Sequence, residues 1–189
     1  MSIEKQAKVG SGTAIVGALC LLATLLPAVG LNTSLFAILS LVGTFLMIPA
    51  FWGFYRFFSL VSNKIVLWLC LLLAFAGILA GLAYYLLALF SDISDPTAAV
   101  FIQSAFLLST IFFLANVLLA WISLASPGIP KWLGWLGISA SFMAMTWICA
   151  PAVVPEFVPS VGNGLVYLWL LILGVITIRS PIPKPIVQD

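Results

Sequence analysis

Residues 51–64 read FWGFYRFFSLVSNK. An arginine stands among aromatic rings at the end of a long apolar run. It is either an intramembrane binding group or a marker of where a membrane ends. The rest of the chain sharpens the choice, because 64% of it is hydrophobic and 6% charged. Soluble domains carry about a quarter charged residues. A chain of this composition cannot cover its apolar side chains with polar surface, so its solvent is lipid. The 189 residues suit a single integral membrane domain, 1–189, of all-α class. Lipid leaves no unpaired backbone group tolerable, and a helix pairs its own.

Helices that cross a bilayer need about 20 apolar residues at about 1.5 Å each. Turn signals divide the sequence into six such spans, 10–29, 34–60, 64–90, 97–125, 130–150 and 160–179. Gly30 and Asn32 mark the first turn, and SNK (62–64) the second. In SDISDPT (91–97), Asp95 is placed to cap a helix that opens on Pro96. SPGIPK (126–131) opens the next helix with Pro130, and PAVVPEFVP (151–159) carries a proline at every fourth position and resists helix. Lys5, Lys8 and Ala28-x-Gly30 give the first span the outline of a signal peptide, but we read it as a retained helix.

Charge sets the orientation. Lys5, Lys8, Arg56, Lys64, Lys131, Arg179 and Lys184 all fall on one side of this arrangement, whereas Asp92, Asp95 and Glu156 fall on the other. Basic residues in short loops stay cytoplasmic, so both termini are expected there. Arg56 lies 21 residues beyond Leu35, which is about 31 Å of helix and the full hydrocarbon thickness. It is therefore read as an anchor snorkelling to lipid headgroups, with Lys64 and Lys131 at the same interface. Trp52, Trp68, Trp121, Trp132 and Trp135 fall toward that side as an aromatic belt.

Small residues mark where membrane helices touch. They align as Thr13, Gly17, Cys20 and Thr24 in the first span, and as Ala74, Gly77, Gly81 and Tyr84 in the third. The fourth shows Ser109, Asn116, Ala120 and Ser123, and the fifth Gly134, Gly137, Ser141 and Ala144. The Gly77–Gly81 pair is expected to admit a helix more closely than leucine would. Pro49 removes one helical hydrogen bond inside the second span and is expected to kink it.

Chemistry is sparse. The chain has no histidine, and Cys20, Cys70 and Cys149 are too dispersed for a metal cluster, so no cofactor or metal is expected. No acidic or basic residue falls well inside a span, which argues against proton relays and intramembrane hydrolysis. The net charge of +2 offers nothing to nucleic acid. The interior polar groups are Gln103, Asn116, Thr146, Asn163 and Tyr167. Asn163 and Tyr167 share a helix face, and Trp169 lies deeper than an aromatic belt. Asn116, Asn163, Tyr167 and Trp169 are thus the candidate ligand-binding residues, with interhelical hydrogen bonding as the competing explanation.

Three stretches, FYRFFSLVSNKIVLWLCLLLA (54–74), GIPKWLGWLGISA (128–140) and LVYLWLLILGVITIR (165–179), resemble a bacterial family of six-helix membrane proteins classed only as a domain of unknown function. In that family a Tyr-Arg ends helix two, matching Tyr55-Arg56. A Pro-basic-Trp-Leu-Gly-Trp-Leu-Gly opens helix five, matching Pro130 to Gly137. A Trp-Leu-Leu run closes helix six, matching Trp169 to Leu171. The resemblance implies fold, topology and a bacterial inner membrane. It brings no substrate.

Two functions fit these features. The first is a non-catalytic accessory or regulatory subunit acting on a membrane-protein partner or on a second copy of itself. The second is a carrier or receptor for a small apolar molecule or lipid held between helices. A closed polar cavity between the second, fourth and sixth spans would favour the second, and a solid core with an outward small-residue face the first.

Overall fold

The structure, a computed structural model, describes residues 2–26, 33–90, 96–149, 153–155 and 157–180. Its described residues form seven α-helices and no strand. These are α1 (Ile3–Ala23), α2 (Thr33–Phe58), α3 (Lys64–Phe90), α4 (Pro96–Ser109), α5 (Ile111–Ala125), α6 (Lys131–Cys149) and α7 (Phe157–Arg179). Five stretches are long and apolar enough to cross a membrane, Pro96–Ala125 counting as one. The chain is an all-α, multi-pass membrane protein. The turn at Gly30 and Asn32, the acidic pair Asp92 and Asp95, and Pro151, Glu156 and Lys184 lie outside the described residues.

The helix limits follow local chemistry. α1 starts seven residues before the apolar run, at Ile3 instead of position 10. Ser2 Oγ accepts from the Lys5 backbone N–H at 3.3 Å, and Lys8 pairs with Glu4 one turn back at 2.7 Å. A capping hydroxyl and an i,i+4 ion pair sustain a polar first turn. Asn63 Oδ1 caps α3 through the Ile65 N–H at 2.8 Å. Gly128 adopts φ +83° between α5 and α6, a left-handed turn that favours glycine. Pro159 is accommodated in the first turn of α7, where its missing N–H costs nothing, so that helix begins at Phe157. α2 runs unbroken through Pro49.

The span expected over 97–125 is interrupted at Thr110. The Ser109 hydroxyl donates to the Phe106 carbonyl at 2.6 Å and the Thr110 hydroxyl to Leu107 at 2.5 Å. The Thr110 N–H also reaches Leu107, and the Phe113 N–H reaches Thr110. These three-residue steps tighten the helix locally into a 3₁₀-like turn.

The spans pack antiparallel in chain order, and α7 returns against α1, so they form a closed ring. Register is read from paired residues: Gly10 with Gly53, Tyr55 with Trp68, Gly77 with Phe112, Gly137 with Trp169, and Ser11 with Thr177. Outward faces carry Phe45, Leu72, Leu79 and Phe101, each about 61% exposed, as lipid requires. The interior is filled by Phe51, Phe54, Phe57, Phe58 and Trp169.

The small face of α1 is rotated from the expected one. Ala7, Gly10, Ser11, Ala14, Gly17, Ala18 and Leu21 are buried, whereas Thr13 and Thr24 turn their hydroxyls onto their own helix at Gly10 and Leu21. The faces on α3, α5 and α6 are buried at Ala74, Asn116, Ala120, Ser141 and Ala144. Gln103, expected inside, is exposed on α4, whose buried side chain is Ala105.

Gly77 and Gly81 differ. A Cβ on Gly77 would collide with the Phe112 backbone, whereas one on Gly81 would meet Thr44 Cγ2 at 3.6 Å and Ser109 Cβ at 3.8 Å, ordinary contacts. Gly77→Ala should therefore cost about 1–3 kcal/mol through overpacking. Gly81→Ala should be neutral or stabilising by up to about 1 kcal/mol through helix propensity. Thermal melts of both variants in detergent check the difference. Equal losses would contradict the close approach at Gly77.

Candidate functional site

A cavity of about 130 Å³ lies between α1, α2, α3, the α4–α5 junction and α7. Its apolar wall includes Met47, Ile78, Phe106, Phe112 and Phe113. Its polar groups are Thr44, Ser109, Thr110, Asn163 and the phenols of Tyr84, Tyr85 and Tyr167. No acidic or basic side chain is among its described lining residues.

Each polar group has a local reason to be there. Asn163 and Tyr167 lie one turn apart on α7, the spacing that puts two side chains on one face. Gly81 supplies no side chain, so its position on α3 stays open. Tyr84 and Tyr85 meet edge to face at 5.1 Å. Tyr84 then leans on Phe106 at 5.2 Å and Tyr85 on Phe36 at 6.4 Å, so rings of α2, α3 and α4 fix both tyrosines. The hydroxyls of Ser109 and Thr110 already donate to backbone carbonyls, which leaves their oxygens as acceptors.

Of the described residues with an unmatched buried polar atom, Asn163 is the one that lines the cavity. Its Oδ1 is buried and has no hydrogen-bond partner among the described residues. An unmatched buried amide costs about 1–3 kcal/mol. The cost disappears when a ligand supplies the missing hydrogen bond.

Of the four candidate ligand-binding residues, the structure brings Asn163 and Tyr167 to the cavity. Asn116 and Trp169 are fully buried and do not line it. The Asn116 amide donates to the Phe112 carbonyl at 2.7 Å, one turn back on its own helix. The Trp169 ring occupies the notch left by Gly137, where a Cβ would come within 2.5 Å of Cε2. Both sit in the packing between α5, α6 and α7, where Asn116 Oδ1 and Trp169 Nε1 are also buried without a hydrogen-bond partner among the described residues. Tyr85, Phe106 and Thr110 were not singled out by sequence. The signals that would have found them are a tyrosine pair in a leucine–alanine run and a Ser-Thr pair in mid-span.

The three interface cations share one end of the bundle. Arg56 lies two residues from the end of α2, with its guanidinium carbon 4.7 Å from the Trp52 ring centroid. Lys64 is exposed at the first position of α3. Lys131, exposed at the start of α6, donates from Nζ to the Leu124 carbonyl in the last turn of α5. A cation there complements the negative helix end.

A scan against protein-family models, a search of curated proteins and a search of solved structures each find no match.

Replacing Asn163 with leucine, of similar volume, removes the unmatched amide. Asn163→Leu should leave the apo protein as stable as the parent or raise its melting temperature. Thr177→Val, which breaks the buried 2.7 Å contact to Ser11, should cost about 0.6 kcal/mol of stability and lower the melting temperature. Parallel melts of the two variants make the comparison, and a clear loss for Asn163→Leu would show that its amide is satisfied within the fold.

Proposed function

We propose that the chain is a six-span protein of a bacterial inner membrane, with both termini cytoplasmic, that binds a small neutral molecule inside its helix ring as a carrier or receptor. The observation that carries this is the tyrosine-walled cavity with the unpartnered Asn163 amide oxygen and no acid or base among its described lining residues. Ring-sized apolar cavities of roughly 150 Å³ take benzene-like guests. The phenols, the Thr44 hydroxyl and the amide add hydrogen-bonding capacity, so the ligand is a single-ring or similarly small amphiphile bearing an O–H or N–H donor. Recognition by shape and neutral hydrogen bonds needs no chemical step, and the reading is non-catalytic.

Six spans follow if α6 crosses too. Its 19 residues give about 28 Å of helix, and it packs between α5 and α7. Exposed Trp68, Trp121, Trp132 and Trp135 gather at the end that holds Arg56, Lys64 and Lys131, which supports a cytoplasmic interface there. Counted from Arg179 and Lys64, Asn163 stands about 24 Å and Tyr84 about 30 Å up their helices, so the cavity belongs to the outer leaflet. The resemblance of residues 54–74, 128–140 and 165–179 to a six-helix family adds support from sequence pattern. The accessory-subunit reading keeps one observation of its own: Gln103 is exposed on α4, where a partner's helix would satisfy it.

Two experiments test these statements. In a background lacking Cys20, Cys70 and Cys149, an impermeant thiol reagent should label Val153→Cys from outside intact cells and leave Lys131→Cys unlabelled. The opposite pattern would reverse the orientation. For binding, 4-fluorophenol is followed by fluorine NMR in detergent. Eight heavy atoms at about 0.6 kcal/mol each give a Kd of roughly 0.3 mM. Gly81→Leu, which grows a side chain into the open position, should abolish saturable binding while the protein stays folded. Undiminished binding by that folded variant would place the ligand elsewhere.

A further inference from the structure

Arg56 is held more firmly than an anchor requires. Its guanidinium carbon sits 4.7 Å from the Trp52 ring centroid and 6.0 Å from that of Tyr55. Trp52 and Tyr55 are themselves stacked at 5.5 Å with an interplanar angle of 24°. Tyr55 rests in turn on Trp68 of α3 at 5.1 Å. A freely snorkelling side chain would sweep through solvent and headgroups, whereas this one is laid on an aromatic platform built by two helices.

The charge on that platform is not balanced within the described residues. Nε of Arg56 is buried without a hydrogen-bond partner. The single described carboxylate, Glu4, is already paired with Lys8 at 2.7 Å. Lys64 precedes Trp68 by one helical turn and shares its face of α3, so a second cation borders the same stack. Cation–π contact supplies attraction on the ring faces but leaves the guanidinium N–H fork open at its outer edge. A planar fork of this kind matches two phosphate oxygens.

We propose that this end of the bundle is a binding site for the headgroup phosphate of an anionic glycerophospholipid. Arg56 is the main contact, Lys64 supplies the second charge, and Trp52, Tyr55 and Trp68 form the floor beneath the glycerol region. Tryptophan and tyrosine favour that depth of a bilayer. The site lies at the opposite end from the tyrosine-walled cavity, so it stands or falls independently of it. A net negative headgroup is specified because two cations border the stack and the one described carboxylate, Glu4, is taken up by Lys8. A zwitterionic headgroup would bring its own cation into the same field.

The test uses the full chain in a non-ionic detergent, with melting temperature and lipid co-purification as readouts. Dioleoylphosphatidylglycerol should raise the melting temperature above that in dioleoylphosphatidylcholine by about 3 °C at tenfold excess over its Kd. Arg56→Gln should remove most of this difference. Arg56→Lys should restore less than half of it, because an ammonium lacks the planar fork. Lys8→Gln, which removes a basic residue engaged with Glu4, should keep it. Should Arg56→Gln fold poorly, Trp52→Phe gives a second reading, since a weaker platform should reduce the preference for phosphatidylglycerol. Inorganic phosphate matching the lipid's effect would overturn the lipid as the ligand. An undiminished preference in Arg56→Gln, or an Arg56→Lys variant equal to the parent, would overturn the site and return Arg56 to a simple anchor.

Discussion

The contacts of α1 with its two neighbours decide the architecture. Lipid gives helices no hydrophobic reason to associate, so they cohere through close packing and a few internal hydrogen bonds. Gly10 of α1 meets Gly53 of α2 backbone to backbone, and Gly17 meets Gly43 near the other end of α1. On the opposite side, a Cβ on Gly174 of α7 would come within 2.9 Å of the Ser11 carbonyl oxygen. One turn along α7, the Thr177 hydroxyl lies 2.7 Å from that of Ser11 in a fully buried pair. Thr177 also donates to Leu173, so the pair costs no unmatched group. With α1 wedged between the second and last spans, the helices close into a ring.

A closed ring has an interior that must be filled, and the two ends are filled differently. Toward Arg56, four phenylalanines of α2 and Trp169 of α7 pack the centre without a remainder of comparable size. Toward the other end a cavity remains among aromatic, aliphatic and hydroxylated side chains, just beyond the point where the backbone of Phe112 packs onto Gly77. The close contact fastens α3 to α5, while α4 packs on α3 with Ala105 as its buried residue, and the cavity is lined by Phe106 and Ser109 of α4. The proposed ligand site is a consequence of how the ring closes at that end. A core packed at the density of the Arg56 end would leave no room for a ligand.

The sequence made the broad outline readable because lipid imposes simple rules. Helix starts at Lys64 and Pro96, and the small faces of α3, α5 and α6, follow from capping, proline and glycine chemistry. The face of α1 was misjudged because Thr13 and Thr24 look like contact residues by size, yet their hydroxyls satisfy their own helix. The true stripe, Ala7, Gly10, Ala14, Gly17 and Leu21, repeats at steps of three and four and begins in a segment that its lysines had assigned to the headgroup region. The break at Thr110 was missed because serine and threonine are ordinary in membrane helices, and here the pair bonds back three residues to Phe106 and Leu107. At the candidate site, Asn163 and Tyr167 were legible from their spacing. Asn116 and Trp169 were not separable from them, since burial in packing and burial beside a cavity leave the same trace in one sequence.

The closure of the ring is tested most directly by a disulfide. In a background lacking Cys20, Cys70 and Cys149, Ser11→Cys and Thr177→Cys replace two hydroxyls whose oxygens are 2.7 Å apart. A disulfide of about 2.05 Å is within reach of a small adjustment. The account requires near-complete cross-linking under mild oxidation, seen by mass spectrometry of the joined peptides. Folded protein that remains uncross-linked at these two positions would mean that α1 does not pack on α7 and that the ring is open.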